Sequence, residues 1–104
     1  MTLRFLQLVF QWSASSEAHY RLLLAIEETI RQGLGPIGLV DGHDIGAGEM
    51  NVFIHTDDRK GAFEKTMSLI QGKCDLKEFM VGYRKLDDDY TPFFPPGLSV
   101  FRVA

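Results

Sequence analysis

Apolar residues recur at every second position from Leu3 to Trp12 and then at every third or fourth from His19 to Ile30. This switch of period, from two to about 3.6, fixes a strand followed by a helix and limits the folds open to the rest of the chain. In the first segment Leu6, Leu8, Phe10 and Trp12 make one wholly apolar face, the one expected to meet the core. Leu3, Phe5, Gln7, Val9 and Gln11 make the other, where Phe5 and Val9 are set between glutamines. A face of that mixed kind is half covered, for instance by a partner subunit.

The serines at 13, 15 and 16 offer helix N-caps, and Glu17 suits the positive end of the helix dipole. His19, Leu22, Leu23, Ile26 and Ile30 form the inward stripe, while Glu17, Arg21, Glu27, Glu28, Arg31 and Gln32 supply the polar faces. Gly33 and Gly35-Pro36 close the helix. A short strand is expected over 37–41, with Gly42, Gly46 and Gly48 opening a loop after it. Alternation returns over 49–56. Thr56 or Asp57 is placed to cap a second helix with Ala62, Phe63, Thr66, Met67 and Ile70 on one side, ending at Gly72. A fourth alternating segment spans 77–86, where Phe79, Val81 and Tyr83 oppose Met80, Gly82 and Arg84.

That order, β-α-β-β-α-β, predicts an α+β fold, a ferredoxin-like sandwich. Right-handed crossovers put both helices on one face of an antiparallel sheet in the spatial order 4-1-3-2. Residues 1–104 then form a single domain, with 87–104 as a C-terminal arm. Asp87-Asp88-Asp89 reads as a solvated turn. Tyr90, Phe93, Phe94, Leu98, Val100, Phe101 and Val103 are too apolar to stay in water. The prolines at 92, 95 and 96 force an extended course, and 98–103 suits a fifth strand, at a sheet edge or on a second subunit.

The chain has 104 residues and a net charge of −3, from 11 basic and 14 acidic groups. A single domain of this size buries enough surface for one core. The charge argues against a nucleic-acid surface, which needs a basic face. Over 49–56 only Phe53 and His55 can stack on a base, and Glu49 repels phosphate. The single cysteine, Cys74, excludes an intrachain disulfide and a cysteine-based zinc site, and reads as a loop residue without special role. No apolar stretch reaches the roughly 18 residues of a membrane span, and the N-terminal segment lacks the pattern of a signal peptide. The expectation is a cytoplasmic protein with no membrane or nucleic-acid partner.

The densest group of functional side chains lies between Asp41 and His55. His43, Asp44, Glu49, Asn51 and His55 are the candidate ligand-binding residues. A histidine held by a carboxylate can serve as general base, and the same groups suit a divalent metal. The plainer reading is a glycine-rich hairpin whose Asp and His satisfy local backbone groups. Gly46-Ala47-Gly48 lacks the third glycine of a dinucleotide fingerprint, and no Gly-x-x-x-x-Gly-Lys-Ser/Thr sequence is present, which excludes a P-loop ATPase. No catalytic residue, metal or cofactor is assigned, and the residues lean away from an enzyme.

The run from Asp41 to Ile54, with the opening Leu-Gln-Leu-Val-Phe-Gln-Trp at 6–12, resembles a group of small uncharacterised bacterial proteins of similar length. Members of that group carry an ABC-transporter ATPase label that the missing Walker sequence does not support here. The layout is also similar to that of dimeric α+β-barrel proteins, which pair sheet to sheet. Neither likeness implies an activity. Three functions are open: a non-catalytic interaction module that self-associates as a homodimer, a toxin-neutralising or inhibitor-type protein, and a small enzyme or ligand binder with its pocket at the glycine-rich loop. Phe5, Val9 and Phe53, with Tyr83 or Phe79, are the expected dimer face.

Overall fold

The computed structural model describes residues 6–71, 79–85 and 88–103. Phe5, Gly72, Cys74 and Asp87, and the expected strand ends at 77 and 86, lie outside the described residues. Five strands and two α-helices are present: β1 (Leu6–Ser13), α1 (Glu17–Gly33), β2 (Leu39–Gly46), β3 (Glu49–Thr56), α2 (Arg59–Ile70), β4 (Phe79–Lys85) and β5 (Thr91–Phe94). The strands form one sheet in the order β2-β3-β1-β4-β5, and every neighbouring pair is antiparallel. The fold is α+β and compatible with a ferredoxin-like arrangement.

Both helices lie on the face that carries Leu8, Phe10 and Trp12. Those side chains form one core with Leu23, Ile26 and Ile30 of α1, Ala62 and Ile70 of α2, and Met50, Val52, Ile54 and Val81 of the neighbouring strands. Ser16 caps α1, its hydroxyl accepting from the His19 backbone N–H. Asp58 caps α2 through Gly61 N–H, rather than Asp57 or Thr56. The Thr56 hydroxyl instead accepts from Asp58 N–H and donates to the Ile37 carbonyl, fixing the entry into that helix. Leu22 faces solvent, and Glu27 takes an inward place between Leu23 and Ile30.

The segment from Gly35 departs from the simple reading. Gly35–Ile37 is a turn of 3-10 helix, and β2 starts at Leu39 and runs through Gly42 to Gly46. The glycines are therefore strand residues, with a bulge between Val40 and Gly42. Only Ala47 and Gly48 connect β2 to β3, at φ 53° and 76°. Positive φ at both central residues is the requirement of a type I′ hairpin turn.

The C-terminal region is the larger departure. The fifth strand is Thr91–Phe94, on the outer edge of β4, and 98–103 is not part of the sheet. Val81 pairs with Phe94 while Gly82 pairs with Pro92, so Phe93 is the extra residue of a bulge. Both adjacent phenylalanines consequently reach the helix side, where each meets Phe63 of α2. Phe79 stacks on Phe94 and Tyr83 meets Phe93, so neither of these β4 aromatics lies on the helix-free face. Pro96 and Gly97 then reverse the chain in a turn closed by Leu98 N–H to Pro95 C=O at 3.1 Å.

Beyond the turn, the arm crosses the helix-free face of β1 and β4. Phe101 is 6% exposed and lies against Gly82, where a Cβ atom would collide with its ring. Tyr90 packs edge-on to Phe101 at 5.5 Å. Gln11 Nε2 donates to the Arg102 backbone carbonyl at 2.7 Å, and the Gln7 side-chain Oε1 accepts from Tyr90 OH at 2.7 Å. Val9 is fully buried between these two glutamines. Burial of the Phe101 ring contributes roughly 2–3 kcal/mol, against roughly 1–2 kcal/mol to order each backbone residue. The Phe101 plug and the Gln11–Arg102 hydrogen bond are what hold this part of the arm.

Ala47 in the left-handed region carries a steric cost that asparagine tolerates better. Ala47→Asn is expected to raise stability by about 0.5–1 kcal/mol, whereas Gly48→Ala lowers it by about 1 kcal/mol or more. Chemical denaturation midpoints of the two variants check both signs, and equal shifts in one direction would show that the turn is not of this type.

Candidate functional site

The sheet separates the residues expected to converge. His43 pairs with Val52 and lies on the helix side, while Asp44 pairs with Asn51 on the helix-free side, in line with Glu49, Asn51 and His55 of β3. His43 and Asp44 are sequence neighbours on a strand, and the period of two sends their side chains to opposite faces. Three polar groupings result.

The first joins α1 to β2. Glu27 is only 5% exposed, and its two carboxylate oxygens lie 2.9 and 3.0 Å from His43 Nδ1. With Glu27 ionised, Nδ1 carries the proton, because a carboxylate only accepts. Arg31, one turn along the helix, brings its guanidinium to 3.8 Å. The carboxylate partner of His43 is thus Glu27 and not Asp44. The signal for it was in the sequence: Glu27 stands four residues after Leu23 and three before Ile30, on the buried stripe itself. A glutamate–imidazole pair can orient a general base. Among the described residues no hydroxyl or thiol lies in hydrogen-bond contact with His43.

The second grouping lies on the helix-free face. Asn51 donates to Glu49 at 2.9 Å, and Gln11 Nε2 lies 3.0 Å from Glu49 Oε2 and 2.9 Å from Asn51 Oδ1. Counting the Arg102 carbonyl, three oxygens surround an amide nitrogen with two hydrogens. The network is saturated with acceptors and ties β1, β3 and the arm together. Beside it, His55 Nε2 is 3.7 Å from Asp41 Oδ2, a separation that allows charge attraction but no direct hydrogen bond. Among the described residues no three His, Cys, Asp or Glu side chains cluster as a metal site would need.

The third grouping surrounds Tyr90. A pocket of about 380 Å³ opens at the seam between the arm and the end of β4, with Arg84, Asp88, Tyr90, Phe101 and Arg102 in its wall. Arg84 stacks over the Tyr90 ring at 4.5 Å, and its Nε–H donates to Gln7 Oε1 at 2.8 Å. The phenol and the guanidinium thus share one glutamine oxygen. Burial pushes the Tyr90 phenol above its ordinary pKa of 10.0, and Arg84 opposes that shift. Sequence reading placed Tyr90 only among the apolar tail residues, because a phenol's hydrogen-bond partner 83 residues away leaves no local mark.

Two outcomes follow from these arrangements. His43→Ala leaves the buried Glu27 carboxylate without its closest partner and is expected to cost about 1–3 kcal/mol. Asp44→Ala, on an exposed side chain, stays within about 0.5 kcal/mol. Urea unfolding of the two single variants separates them, and a neutral His43→Ala would show that the pair carries no structural load. For Tyr90, the folded state holds the phenol proton more tightly than the unfolded chain does. Its contribution is complete below the ordinary value of 10.0 and is lost as pH rises through the higher folded value. The thermal midpoint should fall on that alkaline limb, and Tyr90→Phe should remove the limb's phenol component.

No protein-family model, curated protein or solved structure significantly matches the chain. No helix among the described residues is long and apolar enough to cross a membrane.

Proposed function

We propose that this chain is a non-catalytic cytoplasmic interaction module of ferredoxin-like design that self-associates, with a second copy of itself as partner. The observation that carries this reading is the bare half of the helix-free face. The arm occupies the β1–β4 half. On the β2–β3 half, Leu39 is 57% exposed and Phe53 half-buried, next to Asp41, Asp44 and His55. This mixture of exposed apolar groups with polar and acidic ones is the composition of a subunit interface. A two-fold axis can set Asp41 and Asp44 of one copy against the His55 ring of the other.

The sheet edges support the same partner. The β5 edge is four residues long and contains Pro92, which blocks strand addition. The β2 edge is eight residues long and has no proline. The competing small-ligand reading loses its support at the hairpin, because the glycines expected to form a binding loop lie in a strand and a two-residue turn. An enzyme reading rests on the Glu27–His43 pair, which has no hydroxyl or thiol in hydrogen-bond contact among the described residues. The expected likeness to small bacterial proteins is kept within this proposal and adds no activity to it.

Multi-angle light scattering across the micromolar range tests the reading. The expected mass is twice 11.8 kDa, and Phe53→Glu should return the single-chain mass with little change in thermal midpoint. A mass of 11.8 kDa throughout would sink the proposal. Val9→Lys is not the variant to use: Val9 lies under the arm, and a buried lysine there disrupts the fold whether or not a dimer exists.

A further inference from the structure

We propose that the slot over Gly82 is a receptor for the C-terminal arm of a second copy, so that self-association proceeds by reciprocal exchange of residues 98–103. This rests on the self-association reading above and adds to the Phe53 face a second contact, on the β1–β4 half of the same side of the sheet.

Three features of the slot read the arm. Position 82 lacks a side chain at the point where the Phe101 ring sits, and any Cβ there would meet the ring. Tyr90 supplies an aromatic wall, itself fixed by Gln7. Gln11 takes the carbonyl of Arg102. An aromatic plug followed by one backbone acceptor is the minimum description of what fits, and the chain's own arm satisfies it.

The arm is also built to leave. It forms no strand ladder with the sheet, so removing it breaks no paired backbone hydrogen bonds of β1 or β4. The turn before it is closed by one hydrogen bond, from Leu98 N–H to Pro95 C=O. Opening that turn sends the arm outward, and six extended residues reach about 20 Å. Docked within its own chain, the arm leaves Val100 56% exposed. Every slot contact is recovered in the exchanged pair, so concentration and the added interface decide between the two forms.

Equal amounts of isotope-labelled and unlabelled full-length protein, mixed at high micromolar concentration, give the direct test. The expected result is a filtered nuclear Overhauser contact from the Phe101 ring of one copy to the Gly82 α-protons of another. A dimeric mass with that contact only within single copies overturns the exchange and leaves self-association standing. A single-chain mass overturns both. A second test uses two full-length variants, Gly82→Leu with a blocked slot and Phe101→Ala with a blunt arm. Exchange predicts that each alone is monomeric and that their mixture forms a heterodimer, with the intact arm in the intact slot. Folded variants that fail to pair count against exchange, and if either variant loses its fold the labelled wild-type mixture decides.

Discussion

Position 82 carries no side chain, and the ring of Phe101 fills the space that a Cβ would need. The second face of the sheet is organised around that contact. β1 is central in the sheet, with β3 on one side and β4 on the other, and it is buried on both faces. Helices cover one face of such a strand. The other must find a second cover or remain wet, and a fully buried Val9 shows that it is covered. The arm supplies that third layer over β1 and β4. Because it brings one large ring rather than an apolar surface, the sheet beneath needs one apolar floor residue and polar anchors on either side. Gln7, Val9 and Gln11 are those groups.

How far the sequence displays this arrangement depends on the range of each interaction. α1 and the inward faces of β1 and β3 follow from local periodicity, and the structure has them at Leu8, Phe10, Trp12, Met50, Val52 and Ile54. The alternation of Gln7, Val9 and Gln11 is also visible, but not its partners, because the residues that satisfy those amides lie 38 to 91 positions away. β2 was hidden by its glycines, which weaken a strand signal and mimic a loop. The strand over 91–94 was hidden by Pro92, which an edge strand accepts. The 98–103 segment alternates like a strand, yet it follows a turn that carries it off the sheet plane. Glu27 was assigned to solvent on chemical type, although its spacing placed it with the core.

The two buried polar sets also differ in what they cost to break. Buried Glu27 joins α1 to the partly exposed ring of His43 on β2, and the Arg31 guanidinium lies 3.8 Å from the same carboxylate. That pair is a structural brace whose loss is felt as instability. The amides of Gln7, Gln11 and Asn51 on the other face are neutral, and the Glu49 and Arg84 charges bonded to them are only half-buried. Removing the arm exposes them to water, which offers substitute hydrogen bonds at little cost. A buried carboxylate on the core side and half-buried polar groups beside the arm therefore give the two layers different permanence: the helix layer is fixed, and the arm layer can exchange.

That difference bears on why the slot is lined as it is. A face of leucine and valine would bind the arm more strongly, but without the arm it would present a continuous apolar patch and favour indiscriminate association. Gln7 and Gln11 on either side of Val9 break the apolar surface of β1, so that Val9 is left beside Phe53 and the empty space above Gly82. The uncovered state is then tolerable in water, and affinity is concentrated in the fit of a single ring. Discrimination follows from the same geometry. A smaller residue at 101 leaves the space unfilled, and any side chain at 82 closes it. The polar composition of this face, which on sequence grounds marks an incomplete core, is what allows its cover to be both specific and removable.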